Sequence, residues 1–291
     1  MRLILAFFLF IAGDAALAQT PVTLTHVHGL AYGPGGKRLM VPSHHGISLY
    51  QKGAWSKAPG PQHDYMGFAA TADGIYSSGH PAPDSGLVNP FGIIRSRDGG
   101  RTWDKLGLEG EADFHLLASG WHANAIYVWS PAPNSRMSRA GLHYSMNDGR
   151  SWKAARALGL EGEPHALAVH PRDKRAVAVA TAQGVFESLD AGESFQKLTG
   201  GECTAVFYDL EGRHLWYGSF DGKARLLKMR LRGGPITEIR ILPLENDAVA
   251  YIAQNPVRLN EYAFATFRRS VFITKDGGMS WTAIAESGVG K

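Results

Sequence analysis

The sequence has a single cysteine, Cys203, among 291 residues. A lone cysteine cannot form an intramolecular disulfide, so the fold must be stabilised by its apolar core. Charged residues are also sparse, at 19 %, with no long run of one sign and a formal net charge of +4. A mildly basic chain without a concentrated cationic segment does not predict a nucleic acid partner.

Long hydrophobic runs are equally scarce. The one at the N-terminus, residues 3–13, follows Arg2 and precedes the small-residue sequence Ala16-Leu17-Ala18. It is too short to span a bilayer, and its basic start, apolar middle and small-residue end are typical of a secretory signal. We therefore predict a signal peptide over residues 1–18 and one mature domain over 19–291. The mature protein is expected to be periplasmic or secreted, with no membrane span.

Glycine is abundant, at 35 residues, and part of it belongs to a repeated pattern. Residues 96–103 read hydroxyl, any residue, Asp or Asn, any residue, Gly, any residue, hydroxyl, aromatic. The pattern starts at Ser96 and again at Ser145, Ser188 and Thr274, with gaps of 49, 43 and 86 residues. Because 86 is twice 43, one copy has been lost before Thr274. A period of this size predicts a repeat array or propeller, in which each unit packs against its neighbours.

The pattern resembles the Asp-box, or bacterial neuraminidase repeat, of the sialidase and sortilin propellers. An Asp or Asn that starts a tight turn accepts hydrogen bonds from the turn amides, and glycine permits a positive φ. The resemblance implies a structural turn between the third and fourth strands of a blade, remote from any active site. It therefore implies a fold and does not by itself imply a reaction.

The repeat spacing divides the chain into six blades, so we expect an all-β, six-bladed β-propeller rather than a seven-bladed one. The expected blades are residues 23–62, 63–111, 112–163, 164–201, 202–243 and 247–288. Residues 21–25 are expected to pair with the last blade and close the ring. Two related insertions, residues 81–85 and 131–135, follow the second strands of blades 2 and 3. They either wall a funnel on one rim or are tolerated surface excursions.

Aligning the innermost strands places metal-binding side chains at one equivalent position. His28, Met66, His115 and His165 each stand three residues before an alanine. Cys203 takes the same place in blade 5 if its following Thr-Ala-Val-Phe run is aligned with Ala-Leu-Ala-Val of blade 4. Each residue alone fits a structural role, but together these donors suit copper, with zinc second. We therefore predict a soft-metal site at the mouth of the central channel.

More candidates are expected on the same rim. The additional histidines are His26, His44, His45 and His80. The carboxylates that lead into the innermost strands are Asp64, Glu111, Asp113 and Glu163. They either orient the histidines from behind or only help the loops to turn.

The same carboxylates define an alternative function. Small exported proteins of this kind resemble glycosyl hydrolases, and sialidases use three arginines together with a tyrosine–glutamate pair. No arginine stands in residues 25–29 or at another predicted inner-strand start, so the sialidase signature is missing. A different hydrolase could use two of Glu111, Glu163, Asp64 and Asp113 as acid and base.

A protein-binding scaffold is the third possibility, because propellers that resemble sortilin or the photosystem assembly factor bind peptides or assembling proteins on one rim. Our leading hypothesis is an exported propeller whose His/Met/Cys rim binds copper, zinc or a small ligand without catalysis. The sequence leaves open whether a reaction takes place and whether a periplasmic protein is a partner.

Overall fold

The computed structural model describes residues 22–291, so the predicted signal peptide lies outside the described residues. Within this range the regular structure consists of 25 strands in six antiparallel sheets. The first strands of the sheets together line a central channel, which confirms the six-bladed propeller. No helical segment among residues 22–291 could span a membrane.

Each blade is one sheet in which consecutive strands pair, with the first strand innermost. Blade 1 contains β1 (Ala31–Tyr32), β2 (Leu39–Ser43), β3 (Gly46–Gln51) and β4 (Ala54–Lys57); blade 2 contains β5 (Asp64–Thr71), β6 (Gly74–His80), β7 (Ile93–Ser96) and β8 (Asp104–Gly107). Blade 3 contains β9 (Leu117–Ser119), β10 (Ile126–Ser130), β11 (Gly141–Ser145) and β12 (Lys153–Ala154); blade 4 contains β13 (Pro164–Val169), β14 (Val177–Thr181), β15 (Gly184–Ser188) and β16 (Gln196–Gly200). Blade 5 contains β17 (Cys203–Tyr208), β18 (His214–Phe220), β19 (Ala224–Arg230) and β20 (Ile236–Ile239); blade 6 contains β21 (Val249–Gln254), β22 (Tyr262–Thr266), β23 (Val271–Thr274), β24 (Thr282–Glu286) and β25 (Val289–Gly290).

The four repeated patterns form four turns of the same construction, each between the third and fourth strands of a blade. In the first of them Asp98 Oδ1 accepts hydrogen bonds from the amides of Arg101 and Thr102, at 3.1 and 2.9 Å. Ser96 Oγ accepts another from the Gly100 amide at 2.8 Å. The same bonds to the amide four residues ahead recur in the turns that start at residues 145, 188 and 274. The recurring positions of the pattern therefore have a structural role, because their side chains stabilise the turn.

The aromatic residue that ends each pattern packs into the apolar cluster between its own blade and the preceding one. Trp103 contributes to the cluster of blades 1 and 2, and Trp152 to that of blades 2 and 3. Phe195 and Trp281 do the same for blades 3 and 4 and blades 5 and 6. Similar clusters lie between blades 4 and 5 and between blades 6 and 1, so the core consists of six layers around the channel.

The ring is closed by the N-terminal segment, as expected from the sequence. Thr23 forms a bridge with Val289, and the Leu24 amide donates a hydrogen bond to the Gly288 carbonyl at 2.7 Å. Trp55 of blade 1 adds a hydrogen bond from Nε1 to the Ile284 carbonyl of blade 6 at 2.8 Å. The first and last blades are thereby joined.

Candidate metal centre

The histidines and carboxylates collect on one rim because of where they stand in their strands. This rim carries the starts of the innermost strands and the ends of the second strands. Asp64 is the first residue of β5, His80 is the last of β6, and His44 lies in the turn between β2 and β3. His28 and His115 stand shortly before β1 and β9. Blades 1, 2 and 3 therefore bring two groups of polar side chains to adjacent parts of the rim.

The first group, which we name the Asp64 cluster, consists of His26, His28, His44 and Asp64. Its three rings pack against one another with centroid distances of 4.7, 4.9 and 5.0 Å. One ring nitrogen from each histidine lies within 4.8 Å of the others. Three imidazole nitrogens this close together form a candidate metal site.

A glycine permits this packing. The backbone at Gly29 passes so close to blade 2 that an added Cβ would lie 2.8 Å from the Phe68 Cβ and 3.1 Å from the Pro42 ring. The His28 amide is then able to donate to the Pro42 carbonyl at 3.1 Å. Any larger residue at position 29 would push the His28 backbone away from β2 and β5.

Asp64 contacts two of the three histidines. Its Oδ2 lies 2.6 Å from His44 Nδ1, and its Oδ1 lies 3.6 Å from His28 Nε2. Both His28 Nε2 and Asp64 Oδ1 are buried and have no hydrogen-bond partner. His28 is 9 % exposed, and its burial lowers its pKa to about 4, although the Asp64 charge acts in the opposite direction. His28 is therefore uncharged at neutral pH, and its Nε2 has no partner.

The second group, which we name the Asp113 cluster, consists of His80, Asn89, Asp113 and His115. Asp113 Oδ2 lies 3.0 Å from Nε2 of both His80 and His115. Nδ1 of His80 lies 2.7 Å from Asn89 Oδ1, so both nitrogens of this ring face oxygen atoms. The hydrogen bond that His115 donates to Asp113 raises the pKa of His115 above its ordinary value. Burial opposes the ionisation of Asp113, but the bonds and charges of both histidines outweigh it and lower the Asp113 pKa.

Three of the predicted ligands lie apart from both clusters. His165 is exposed on the far side of the channel mouth, where its Nδ1 lies 3.0 Å from the Cys203 carbonyl oxygen. His45 is exposed, and its carbonyl accepts a hydrogen bond from Lys57 Nζ at 2.6 Å. Met66 is buried in an irregularity of β5 beside Gly79. No contact of these residues with His26, His28 or His44 is present in the described part of the chain.

Cys203 is also absent from the rim, because the strand register differs from the sequence alignment. In blade 4 the innermost strand leaves His165 unpaired with the second strand. In blade 5 the residue left unpaired in the same way is Thr204, so Thr204 is the counterpart of His165. Cys203 comes one residue earlier, and a shift of one residue turns a side chain to the opposite side of its strand. It is fully buried in the apolar cluster of blades 4 and 5, and this burial raises the pKa of its thiol to about 11. The alignment that predicted Cys203 as a ligand is therefore off by one residue.

The four carboxylates have three different environments. Asp64 and Asp113 contact histidines, as expected for residues that orient ligands. Glu111 instead accepts hydrogen bonds from the amide and hydroxyl of Ser135, at 2.7 and 2.9 Å, and these bonds lower its pKa. Glu163 is exposed. Since the pKa values of Glu111 and Asp113 are lowered, neither is suited to act as a protonated acid at neutral pH.

The insertions add residues that the sequence did not single out. Asn89, in the loop between β6 and β7, holds His80, and Ser135, in the loop between β10 and β11, is held by Glu111. His63, buried near the same rim, accepts a hydrogen bond from the Ala82 amide at 2.9 Å and fixes the first loop. The position of the insertions pointed to this rim, but the individual contacts depend on how the loops fold back.

No model of a known protein family matches the sequence, and no curated protein matches it either. Several solved structures have a similar fold. A GH74 enzyme of Niastella koreensis shares 15 % identity at a TM-score of 0.62, covering 92 % of this chain and 46 % of that one. The nidogen/laminin complex shares 11 % at a TM-score of 0.60, covering 84 % and 91 %. YCF48 bound to the D1 peptide shares 13 % at a TM-score of 0.51, covering 91 % and 84 %.

This chain spans about half the length of the GH74 enzyme that it resembles. At these identities the likeness shows a β-propeller fold only. Any function has to be argued from the residues of the rim.

Proposed function

We propose that this protein is an exported β-propeller that binds a transition metal ion, copper or zinc, at the Asp64 cluster. The observation that carries the proposal is the convergence of three imidazoles, one of which, His28, is buried with an unpartnered nitrogen. A buried polar atom without a partner is costly, and a bound cation would remove that cost.

The proposal gives each residue a role that its contacts support. His28 offers Nε2, while His44 uses Nδ1 for Asp64 and thereby presents Nε2 to the ion. A carboxylate that accepts a hydrogen bond from a ligating histidine fixes its orientation and makes it a better donor. His26 is exposed and stacks on His44 at the open side of the cluster. Three histidines leave a fourth position for water or a ligand, as in many zinc sites that bind small molecules.

The structure removes the sequence-based preference for copper over zinc. Thioether and thiolate donors favoured copper in the sequence, but Met66 and Cys203 lie outside the cluster. Imidazole suits both copper(II) and zinc, and copper(II) binds nitrogen sites more tightly in general. Both ions therefore belong in the experiment.

The decisive measurement is metal content and affinity of protein produced without a His tag. We expect one ion per chain by mass spectrometry, with His28→Ala and His44→Ala each abolishing binding in titration calorimetry. The matched control is His122→Ala, which removes an exposed histidine outside both clusters. Wild-type protein that takes up neither copper nor zinc, or a His28→Ala variant that binds as wild type does, would refute the proposal.

Glycoside hydrolysis is the second candidate, and the fold of the GH74 enzymes is the observation that favours it. A hydrolase of this kind needs one protonated and one ionised carboxyl group. The lowered pKa values of Glu111 and Asp113 oppose the protonated role. Turnover of aryl glycosides that is lost in Glu163→Gln or Asp64→Asn would establish it nevertheless. A peptide-binding role on the same rim would be established by a co-purifying partner that is retained in His28→Ala.

A further inference from the structure

The central channel contains a cavity of about 190 Å³ next to the Asp64 cluster. Each blade contributes several apolar residues to its wall, and one of them stands two residues after the position at the channel mouth. The residues at this position are Leu30, Phe68, Leu117, Leu167, Val206 and Ile252. They lie on the innermost strand of each blade or directly before it, so apolar residues surround the channel on all sides.

The histidines of the wall lie at the cavity mouth, and two polar side chains further inside, Thr204 and Gln254, are hydrogen-bonded within the protein. Thr204 Oγ1 donates to the Val249 carbonyl at 2.7 Å. The Gln254 amide accepts from the Leu210 amide and donates to the Leu259 carbonyl, at 2.6 and 2.7 Å. Ser119 Oγ is buried without a partner and can meet a single polar substituent. The cavity is therefore suited to an apolar group.

The volume sets the size of that group. An apolar cavity of about 150 Å³ lined by leucine, isoleucine and phenylalanine stays dry and accepts benzene. A cavity of about 190 Å³ accordingly has room for one six-membered aromatic ring. His28 lines this cavity and also belongs to the Asp64 cluster, so an ion bound by His28 would lie at the cavity mouth.

We propose that the channel binds the aromatic ring of a small molecule whose Lewis-base head group ligates the metal ion at its open position. The head-group contact rests on the proposed metal site. The ring contact does not, because it depends only on the apolar wall. The ligand class is therefore a compact aryl compound with one nitrogen or oxygen donor close to the ring.

The first test compares imidazole with 4-phenylimidazole on zinc-loaded protein by titration calorimetry. The two probes share the same metal-binding head, and the second adds a ring of the right size. Burying a ring of this size predicts roughly ten- to a hundredfold tighter binding of 4-phenylimidazole. Equal affinities of the two probes would overturn the proposal.

The second test fills the cavity from within. Leu167 is only partly buried, so Leu167→Phe places a ring in the channel with little strain on the core. This variant should bind zinc and imidazole as wild type does but lose the tenfold or greater preference for 4-phenylimidazole. Leu158→Phe, at an exposed leucine, is the matched control and should keep the preference. A preference retained in Leu167→Phe would place the ring outside the channel and contradict the proposal.

A third measurement separates this proposal from the metal site. Metal-free wild-type protein is titrated with indole, followed by the shift in its melting temperature, and compared with Leu167→Phe. We expect stabilisation of the wild type only, whether or not the protein binds zinc. If the protein does not bind zinc but indole still stabilises the wild type only, the proposed metal site is wrong and the proposed aromatic site is supported. The absence of any indole effect in the wild type removes the aromatic site.

Discussion

The Asp64 cluster and the Asp113 cluster are built from the same residue types and have opposite electrostatic properties. Each places one carboxylate between two histidines: Asp64 contacts His28 and His44 of blade 1, and Asp113 contacts His80 of blade 2 and His115 of blade 3. In the first, the pKa of His28 is lowered to about 4, whereas in the second the pKa of His115 is raised. Composition alone therefore does not decide which histidine is a metal ligand.

The difference arises from burial and from the direction of the hydrogen bonds. The His28 side chain is 9 % exposed, and its nearest Asp64 oxygen is 3.6 Å away, too far for a good hydrogen bond. The His115 side chain is 63 % exposed and lies 3.0 Å from its carboxylate. Desolvation disfavours the charged form of a buried histidine, and a close carboxylate favours it. The uncharged His28 of the Asp64 cluster therefore suits the cation site that we propose, whereas the raised pKa of His115 favours its protonated form in the Asp113 cluster.

The largest effect that distinguishes the clusters is expected on metal affinity. Asp64→Asn keeps the shape of the side chain but removes the charge that orients His44, and such changes typically weaken metal binding 10- to 100-fold. Asp113→Asn is the matched control on the other cluster and should change the zinc affinity less than threefold. Titration calorimetry with zinc measures both. Equal losses in the two variants would show that one extended site, rather than the Asp64 cluster, binds the ion.

The sequence predicted the scaffold well because the repeat spacing is a global property. Four turns were enough to count six blades and to place Asp64, His80 and Asp113 on one rim. The partners of these residues depend on single-residue details. A one-residue irregularity in β17 replaces Cys203 by Thr204 at the channel, and the folded-back insertion brings Asn89 to His80. Neither the irregularity nor the loop path leaves a periodic signal, so neither could be predicted from the spacing.

The second comparison concerns the pH dependence of stability in metal-free protein. The pKa of His28 is about 4 when folded and about 6.5 when unfolded. The unfolded state therefore binds more protons between these values, and stability falls as the pH drops from 6.5 to 4. The pKa of His115 is raised by folding, so its contribution is present below pH 6.5 and is lost as the pH rises through its folded value.

Single variants should remove the acid-side and the alkaline-side loss of stability separately. His28→Gln should flatten the decline in urea-unfolding free energy between pH 6.5 and 4, which is worth about 3 kcal/mol at most. His115→Gln should instead flatten the decline on the alkaline side and leave the acid side unchanged. The same pH profile for both variants would contradict the assignment of opposite roles.

The smallest effect is expected for Glu111, which stands two residues before Asp113 yet contacts only the insertion loop at Ser135. Glu111→Gln should loosen the loop over residues 131–140 and increase its cleavage by a protease, because the amide side chain accepts weaker hydrogen bonds than the carboxylate. Zinc affinity should stay within twofold of wild type, since Glu111 contacts neither cluster. Ser135→Ala provides the control, because it removes one of the same two bonds from the other side. Suppose that Glu111→Gln weakened zinc binding tenfold while Ser135→Ala did not. The Glu111 carboxylate would then have to act on the Asp113 cluster directly, and the claim that Glu111 only supports the loop would be wrong.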